Sequence, residues 1–288
     1  WKDYLETEGV KVLISIPNLK VHAKLCLITK KVEKRSVQYG FVSTGNMNEK
    51  TAHVYGDHCL LTADKAIMTD VSRIFNFLEN WKNGMQPLKN CSSLIPCPTS
   101  LRPDINKWIN REIKNAKEGR DAIIRLKMNS LSDELLIEKL YDAAKSGVKI
   151  YLVIRGIFCM FSESKKFIHP ITAVSIVDEY LEHARVFIFH NGGNEKVYIS
   201  SADWMVRNID HRVEVTCPIK DPGIKKTLID MFNIQIADNV KARVLDNQLS
   251  NAYVYRNGDD RIRSQEEIYN YLQQFNEVKS EVNAIGSY

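Results

Sequence analysis

Ten residues, Leu19-Lys20-Val21-His22-Ala23-Lys24-Leu25-Cys26-Leu27-Ile28, set an imidazole and a cation in an otherwise apolar stretch. On a strand, side chains two apart face the same way, roughly 7 Å from each other. The spacing therefore puts His22 and Lys24 on one side and Val21, Ala23, Leu25 and Leu27 on the other. A neutral imidazole with a cation beside it, held on stiff backbone, suits attack on a phosphorus that carries negative oxygens. Taken alone, His-x-Lys reads more readily as a core histidine beside a surface lysine.

A second copy argues for the chemical reading. Glu182-His183-Ala184-Arg185-Val186-Phe187-Ile188-Phe189 repeats the order His, Ala, cation, apolar run. Ser43-Thr44-Gly45-Asn46 answers to Ser200-Ser201-Ala202-Asp203, and each copy then carries a carboxylate, Asp57 and Glu214, eleven residues further on. Asp64 and Asp221 keep the same offset of 157, each opening a helix-like pattern, and Gly9-Val10-Lys11-Val12 matches Gly147-Val148-Lys149-Ile150. Packing alone does not explain a duplication of chemically useful residues. Two pseudo-symmetric halves can put two histidines on opposite sides of one phosphorus. One imidazole would attack phosphorus and carry the phosphoryl group while the other donates a proton to the leaving oxygen. Imidazole suits both tasks because its ordinary pKa is about 6.5. The repeat does not say which histidine takes which part.

Around this pair, Asp57 and Glu214 read as acceptors for imidazole N–H groups that would fix the tautomer, or as ordinary surface ion-pair partners. Lys24, Arg155, Arg185 and Arg212 are candidate phosphate clamps, the arginines offering a planar fork that fits phosphate oxygens. Arg155 ends an apolar strand just before Gly156, where ligands gather in open α/β sheets. Arg212 stands two before Glu214, so on a strand the two share a face and could simply pair. Asn46, Asn48, Asp203 and Asn208 are candidates for substrate contact or for turn building. Tyr55, two before Asp57, could stack on a base or only pack. His53, His58, His169, His190 and His211 have no repeat partner, and no role is assigned to them. No GxGxxG or Walker pattern surrounds Gly45, so ATP, if a substrate, is not held in the usual nucleotide loops.

The elements that must carry these groups follow from periodicity. Residues 10–16, the His22 segment and 37–44 read as strands, with a further strand inside 51–61; Asp64 caps a helix with Ile67, Val71, Ile74, Phe75 and Leu78 at helical spacing. Residues 82–103, broken by Gly84, Pro87, Pro96, Pro98 and Pro103, make the best domain boundary. Beyond it come a helix around Trp108, a strand at 123–128, a helix at 133–146 and a strand at 148–155, an order that implies a parallel pair with a crossover helix. Residues 156–178 form an insertion that the first half lacks. Strands at 183–189, 197–200 and 213–217, a helix from Asp221 and a helix at 261–275 complete the chain. The first unit has only eight residues before its Gly-Val-Lys, where the second has a strand and a helix, so the first is expected to be truncated on its N-terminal side.

Composition bounds the class. The 288 residues suffice for one large or two ordinary domains. A hydrophobic share of 44% with 26% charged residues is that of a soluble globular chain. No run approaches the roughly 20 apolar residues of a membrane span, and no signal peptide is evident. The net charge of +5 accommodates an anionic substrate without singling out nucleic acid. The six cysteines are scattered and read as reduced thiols of a cytoplasmic protein.

The paired His-x-Lys/Arg with a downstream Gly/Ser-x-Asn/Asp resembles the phospholipase D superfamily. Longer strings, namely Leu19 to Lys24, Ser43-Thr44-Gly45-Asn46-Met47-Asn48-Glu49-Lys50-Thr51-Ala52, Leu60 to Asp64, Leu126-Lys127-Met128-Asn129-Ser130-Leu131, Tyr180 to Arg185 and Ser200 to Met205, together resemble the bacterial polyphosphate kinase family, from Gly9 to about Leu272. The resemblance implies an α/β fold of two phospholipase D-like domains, 1–90 and 91–288, each a mixed, largely parallel sheet flanked by helices and related by pseudo-two-fold symmetry. It implies reversible transfer of the terminal phosphate of ATP to inorganic polyphosphate, with His22 phosphorylated and His183 as the acid/base. Tyr55, Arg155 and His183 match ATP-contacting positions, and Asp57 and Arg212 match active-site positions; Lys24 and Asn46 are counted with the phosphate-binding set. Magnesium is implied as cofactor, with the family's metal-associated arginines lying before residue 1 and no metal ligands within this chain. N-terminal domains of the family are missing here, a homo-oligomer is implied at full length, and the location is cytoplasmic or peripheral to the inner membrane. Met47, where an aromatic is usual, and Gly56, where Thr is usual, depart from the family pattern. The alternatives are a phosphodiesterase, against which Arg185 and Asp203 replace the usual Lys and Asn, and a non-catalytic polyphosphate-binding or assembly module.

Overall fold

The computed structural model describes residues 1–14, 16–255 and 260–285, with 276–285 by backbone only. The first half holds α1 (Lys2–Thr7), β1 (Lys20–Val21), β2 (Lys24–Val32), β3 (Arg35–Ser43), α2 (Glu49–Ala52), β4 (Tyr55–Gly56), β5 (Cys59–Thr62) and α3 (Lys65–Glu79). Then follow α4 (Gln86–Lys89), β6 (Ile95–Pro96), α5 (Leu101–Lys117), β7 (Ile123–Met128), α6 (Glu134–Lys145), β8 (Lys149–Ile154) and β9 (Thr172–Ile176). The rest comprises β10 (Leu181–Glu182), β11 (Arg185–Phe189), β12 (Lys196–Ser200), α7 (Val206–Ile209), β13 (Arg212–Val213), β14 (Val215–Ile219), α8 (Pro222–Ala237), β15 (Ala242–Val244) and α9 (Ser264–Ile285).

The helices start where short polar side chains can take the first free N–H groups. Asp64 accepts from Ala66 and Ile67, Asp133 from Leu136, and Asp221 from Ile224, with Pro222 just inside α8. Asp64 and Asp221, matched by the repeat, are thus matched caps.

A large mixed sheet runs β15-β9-β8-β7-β11-β12-β14-β6. Its parallel part is confined to β7, β8 and β9, and every other pairing in it is antiparallel. The α6 crossover between β7 and β8 gives the parallel pair its usual connection. The sheet is covered on both faces. Ile124, Leu126, Ile150, Leu152, Phe187 and Phe189 pack under α5 and α6. Val174, Val186, Ile188, Val197, Ile199 and Val215 pack under α8 and under α3 of the first half. Burial on both faces explains why β11 reads as an apolar run after Arg185 and is buried at all five residues. The first half's own sheet, β2-β3-β5, is antiparallel and contributes Val42 to the second of these cores.

Two expectations need correction. Residues 10–16 do not form a strand; Ile16 makes only an isolated bridge to Leu19, Val10, Leu13 and Ile14 are exposed, and Ser15 lies outside the described residues. Their repeat counterpart, β8, is paired on both sides by β7 and β9, and a strand without such neighbours leaves its N–H and C=O groups unpaired. The 156–178 insertion contains β9, and the stretch after α8, where no strand is expected, contains β15; the two strands extend the large sheet beyond β8.

Candidate active site

Neither histidine lies within a continuous strand. The chain breaks pairing at His22-Ala23, between β1 and β2, and at His183-Ala184, between β10 and β11. The reason is the same in both places. The backbone N–H groups of His22 and Ala23 both donate to Val213 O (2.9 and 3.0 Å), and those of His183 and Ala184 both donate to Gly56 O (3.2 and 2.9 Å). Two residues face one, as in a β-bulge, and such a bulge re-aims side chains.

These contacts cross between the halves. β1 pairs parallel with β13, Lys20 opposite Arg212, and β10 pairs parallel with β4, Leu181 opposite Tyr55. Each short strand that precedes a histidine therefore lies beside the strand that precedes the other half's carboxylate. His22 Nδ1 sits 2.8 Å from Glu214 Oε2, and His183 Nδ1 sits 2.9 Å from both Asp57 oxygens. An ionised carboxylate only accepts, so each Nδ1 carries the proton and each neutral ring keeps its lone pair on Nε2.

The carboxylates are held in turn by repeat-related hydroxyls. Thr44 donates to Asp57 Oδ1 (2.6 Å) and Ser201 to Glu214 Oε2 (2.5 Å). Glu214, fully buried, also accepts from Asn208 Nδ2 (2.9 Å) and lies 3.8 Å from Arg212 Nη1. Burial pushes the Asp57 carboxyl up, but hydrogen bonds from His183 and Thr44 and the charges of His183 and Arg185 outweigh it and hold the group below its usual value of 3.8.

Lys24 ties the two pairs together. Its ammonium donates to His22 O. Burial brings its pKa down from 10.5 to about 8, with Glu214 and Asp57 opposing that shift and Arg185 and Arg212 adding to it. One lysine thus feels the carboxylate of each histidine pair and two arginines from the second half. Tyr55 adds an aromatic face, its ring centre 5.0 Å from that of His183.

Not every candidate is free to meet a ligand. Arg185 is buried, gripped by Asp203 (3.2 Å twice), and reaches Thr44 O (3.4 Å) and both His183 ring nitrogens (3.4 and 3.1 Å). It is a rigid prop under His183 rather than a free phosphate clamp. Asp203 is likewise buried and also accepts from the Asn129 and Ser130 N–H groups, and Asn208 lies under Glu214; neither is placed as a substrate contact. Asn48 caps α2, a turn-building role. Arg155 is half-buried, its guanidinium held by Asn129 Oδ1 (3.0 and 2.7 Å) and Glu182 O (3.2 Å). Asn46 is exposed, with no side-chain hydrogen bond among the described residues, and Arg212 is partly exposed beside the His22 pair.

Sequence reasoning missed Asn129, Thr44 and Ser201 as supports. The last two were visible inside the repeated Ser-Thr/Ser pair, because the residue after each first serine is a hydroxyl in both copies. Among the described residues no group of three or more histidines, cysteines, aspartates or glutamates is placed to hold a metal ion. All six cysteines are free, and among the described residues no helix is long and apolar enough to cross a membrane.

The chain is similar to known proteins along most of its length. Residues 1–84 match the family model for polyphosphate kinase C-terminal domain 1, and residues 94–265 match that for C-terminal domain 2. The chain is 45% identical over 272 residues to polyphosphate kinase of Escherichia coli (strain K12), covering 94% of this chain and 39% of that protein. It is also 45% identical to polyphosphate kinase of Vibrio cholerae, covering 94% of this chain and 38% of that one. The chain thus spans about two-fifths of the length of these relatives. The crystal structure of polyphosphate kinase from Porphyromonas gingivalis superposes with a TM-score of 0.89 at 39% identity, over 96% of this chain and 42% of that one. Phosphatidylserine synthase from Haemophilus influenzae shares the fold at a TM-score of 0.53 and 11% identity, over 92% of this chain and 70% of that one.

Proposed function

The chain belongs to the polyphosphate kinase family, and from that membership we propose that it catalyses reversible transfer of the terminal phosphate of ATP to inorganic polyphosphate through a phosphohistidine at His22. The observation that carries the reading is the pair of crossed histidine–carboxylate contacts. Buried Glu214 accepts a hydrogen bond from His22 Nδ1–H, which leaves the Nε2 lone pair with no protein partner among the described residues. At His183 the same ring nitrogen lies 3.1 Å from Arg185 Nη1. That difference favours His22 as the attacking group.

Nε2 of His22 forms the P–N bond as the bond from phosphorus to the ADP oxygen breaks. A terminal oxygen of polyphosphate then forms the new P–O bond as the P–N bond breaks. His183, held by Asp57, takes up a proton on Nε2 from solvent before transfer, gives that proton to the leaving oxygen and recovers it in the reverse direction. Lys24, Arg155 and Arg212 meet the phosphate oxygens and stabilise charge that spreads over them in the transition state. Asn46, exposed after the Ser43-Thr44-Gly45 turn, adds a neutral contact, and Tyr55 offers its ring to the nucleotide base. Magnesium bound with the nucleotide supplies further charge neutralisation. The parts of the relatives outside the matched two-fifths supply the remaining nucleotide contacts and the assembly surfaces, and the reaction takes place in the cytoplasm.

The test is chain growth. A protein carrying this chain, given ATP and polyphosphate, is expected to lengthen polyphosphate with ADP released in equal amount, and His22→Ala is expected to abolish both. Hydrolysis of a model phosphodiester without ATP, and no chain growth, would favour a hydrolase instead.

A further inference from the structure

The two histidine-bearing strands are backed in different ways. In β10, Glu182 immediately precedes His183, and its carboxylate accepts from three elements: Lys127 of β7 (3.0 Å), Gln235 of α8 (2.7 Å) and Gln265 of α9 (2.8 Å). Gln265 does more. Its Oε1 accepts from the Tyr180 N–H (3.0 Å) and its Nε2 donates to Tyr180 O (2.8 Å). One side-chain amide thereby offers the donor and acceptor that a neighbouring strand would offer to Tyr180. The start of α9 is itself fixed. Ser264 N–H donates to Asp238 (2.7 Å), the Arg263 fork meets Asp178 (2.8 Å twice), and Tyr271 donates to Asp230 (2.6 Å).

Packing does not do this work behind β10. A cavity of about 270 Å³ lies there, bounded by Val186, Leu228, Phe232, Ile268 and Leu272 and reaching Asp57. Hydrogen bonds therefore set where β10 sits against β4. β1 has no such anchor, since Val21 stands where Glu182 does and is 41% exposed.

We propose that Gln265, acting with Glu182, is a positioning residue for His183, so that α9 sets the register in which His183 meets Asp57. Its catalytic consequence rests on reading His183 as a reacting group; the placement itself does not. The charged groups facing His183 are Asp57 and Arg185, with the Tyr55 ring beside it. A change in register alters its distance to both.

The experiment compares ring-nitrogen spectra at one fixed pH of the 288-residue chain labelled with ¹⁵N in its histidine rings, for wild type and Gln265→Ala. His183 is expected to change its ring-nitrogen shifts, while His22 follows wild type. Because Gln265 is only partly buried, the melting temperature should stay within about 3 °C. Gln265→Glu, which sets a second carboxylate against Glu182, is expected to move His183 further with His22 again unmoved. An unchanged His183, or His183 and His22 moving together, overturns the proposal. In an active protein carrying the chain, Gln265→Ala should lower kcat about tenfold with KM for ATP within about twofold. If no such activity exists, the ring-nitrogen spectra still decide the positioning.

Discussion

Gly45 stands where any side chain collides with the His183 pair. A Cβ built there would lie 1.8 Å from Asp57 Oδ2, 2.1 Å from Cγ and 2.7 Å from Oδ1. Reaching ordinary van der Waals separation requires the carboxylate to retreat by about 1.6 Å. The contacts at stake are the 2.9 Å bonds to His183 Nδ1 and the 2.6 Å bond from Thr44, and a retreat of that size takes them past hydrogen-bond reach. Misplacing a catalytic group by about 1 Å can cost on the order of 100-fold in rate, and Gly45→Ala is expected to lose about that much phosphoryl transfer. Losing bonds to a partly buried carboxylate should cost about 1–3 kcal/mol of stability, which leaves the chain folded. The repeat supplies a control, because Ala202 occupies the matching place before Glu214. Ala202→Gly leaves the His22–Glu214 contact in place and should keep most activity. Steady-state transfer from ATP, read beside ¹⁵N spectra of the histidine rings, measures both sides of the expectation. A Gly45→Ala protein with wild-type rate and unmoved His183 signals would refute the reasoning.

Glu214→Gln removes the charge that fixes the His22 tautomer while leaving Ser201 and Asn208 close to their donor positions, and should slow phosphorylation of His22 at least about 100-fold in rapid-quench measurements. Lys24 has a folded value near 8 against 10.5 unfolded, so its charge penalises the folded state fully below pH 8 and the penalty fades as pH rises towards 10.5. Lys24→Met should therefore raise the urea midpoint at pH 7, with the gain disappearing near pH 10.5, although transfer activity falls. Arg102 forks onto buried Asp133 (2.8 and 2.7 Å) and Asp210 (3.2 and 2.6 Å), and Arg102→Ala should cost about 3–5 kcal/mol in chemical unfolding because Asp133 is left charged and buried.

Much of the site could be read from spacing. The offset of 157 found Thr44 with Ser201, Asp57 with Glu214 and Asp64 with Asp221, and each pair turns out to play matched structural parts. The crossing could not be read. A repeat says that each half has a histidine and a carboxylate, not that each carboxylate serves the other half's histidine; that follows from β1 lying on β13 and β10 on β4, pairings two residues long and far apart in the chain. Arg185 and Asp203 looked like cleft residues because they are charged, yet they satisfy one another in the interior, where a buried charge needs its partner. Residues 10–16 looked like a strand because Val, Leu and Ile favour one, but propensity does not supply a neighbour to pair with. Gln265 gave no signal at all, since a glutamine on a polar helix start has no pattern that separates a hydrogen-bonded clamp from a solvated side chain.

The most direct measurement is the position of the phosphoryl group. A protein carrying this chain is mixed with ATP labelled at its terminal phosphate, quenched, and mapped by mass spectrometry under alkaline conditions. Acid-labile, base-stable label on His22, absent from His22→Ala and sharply reduced in Glu214→Gln, is the expected result. Label that persists in His22→Ala, or that maps to His183, would contradict the assignment of His22 as the nucleophile.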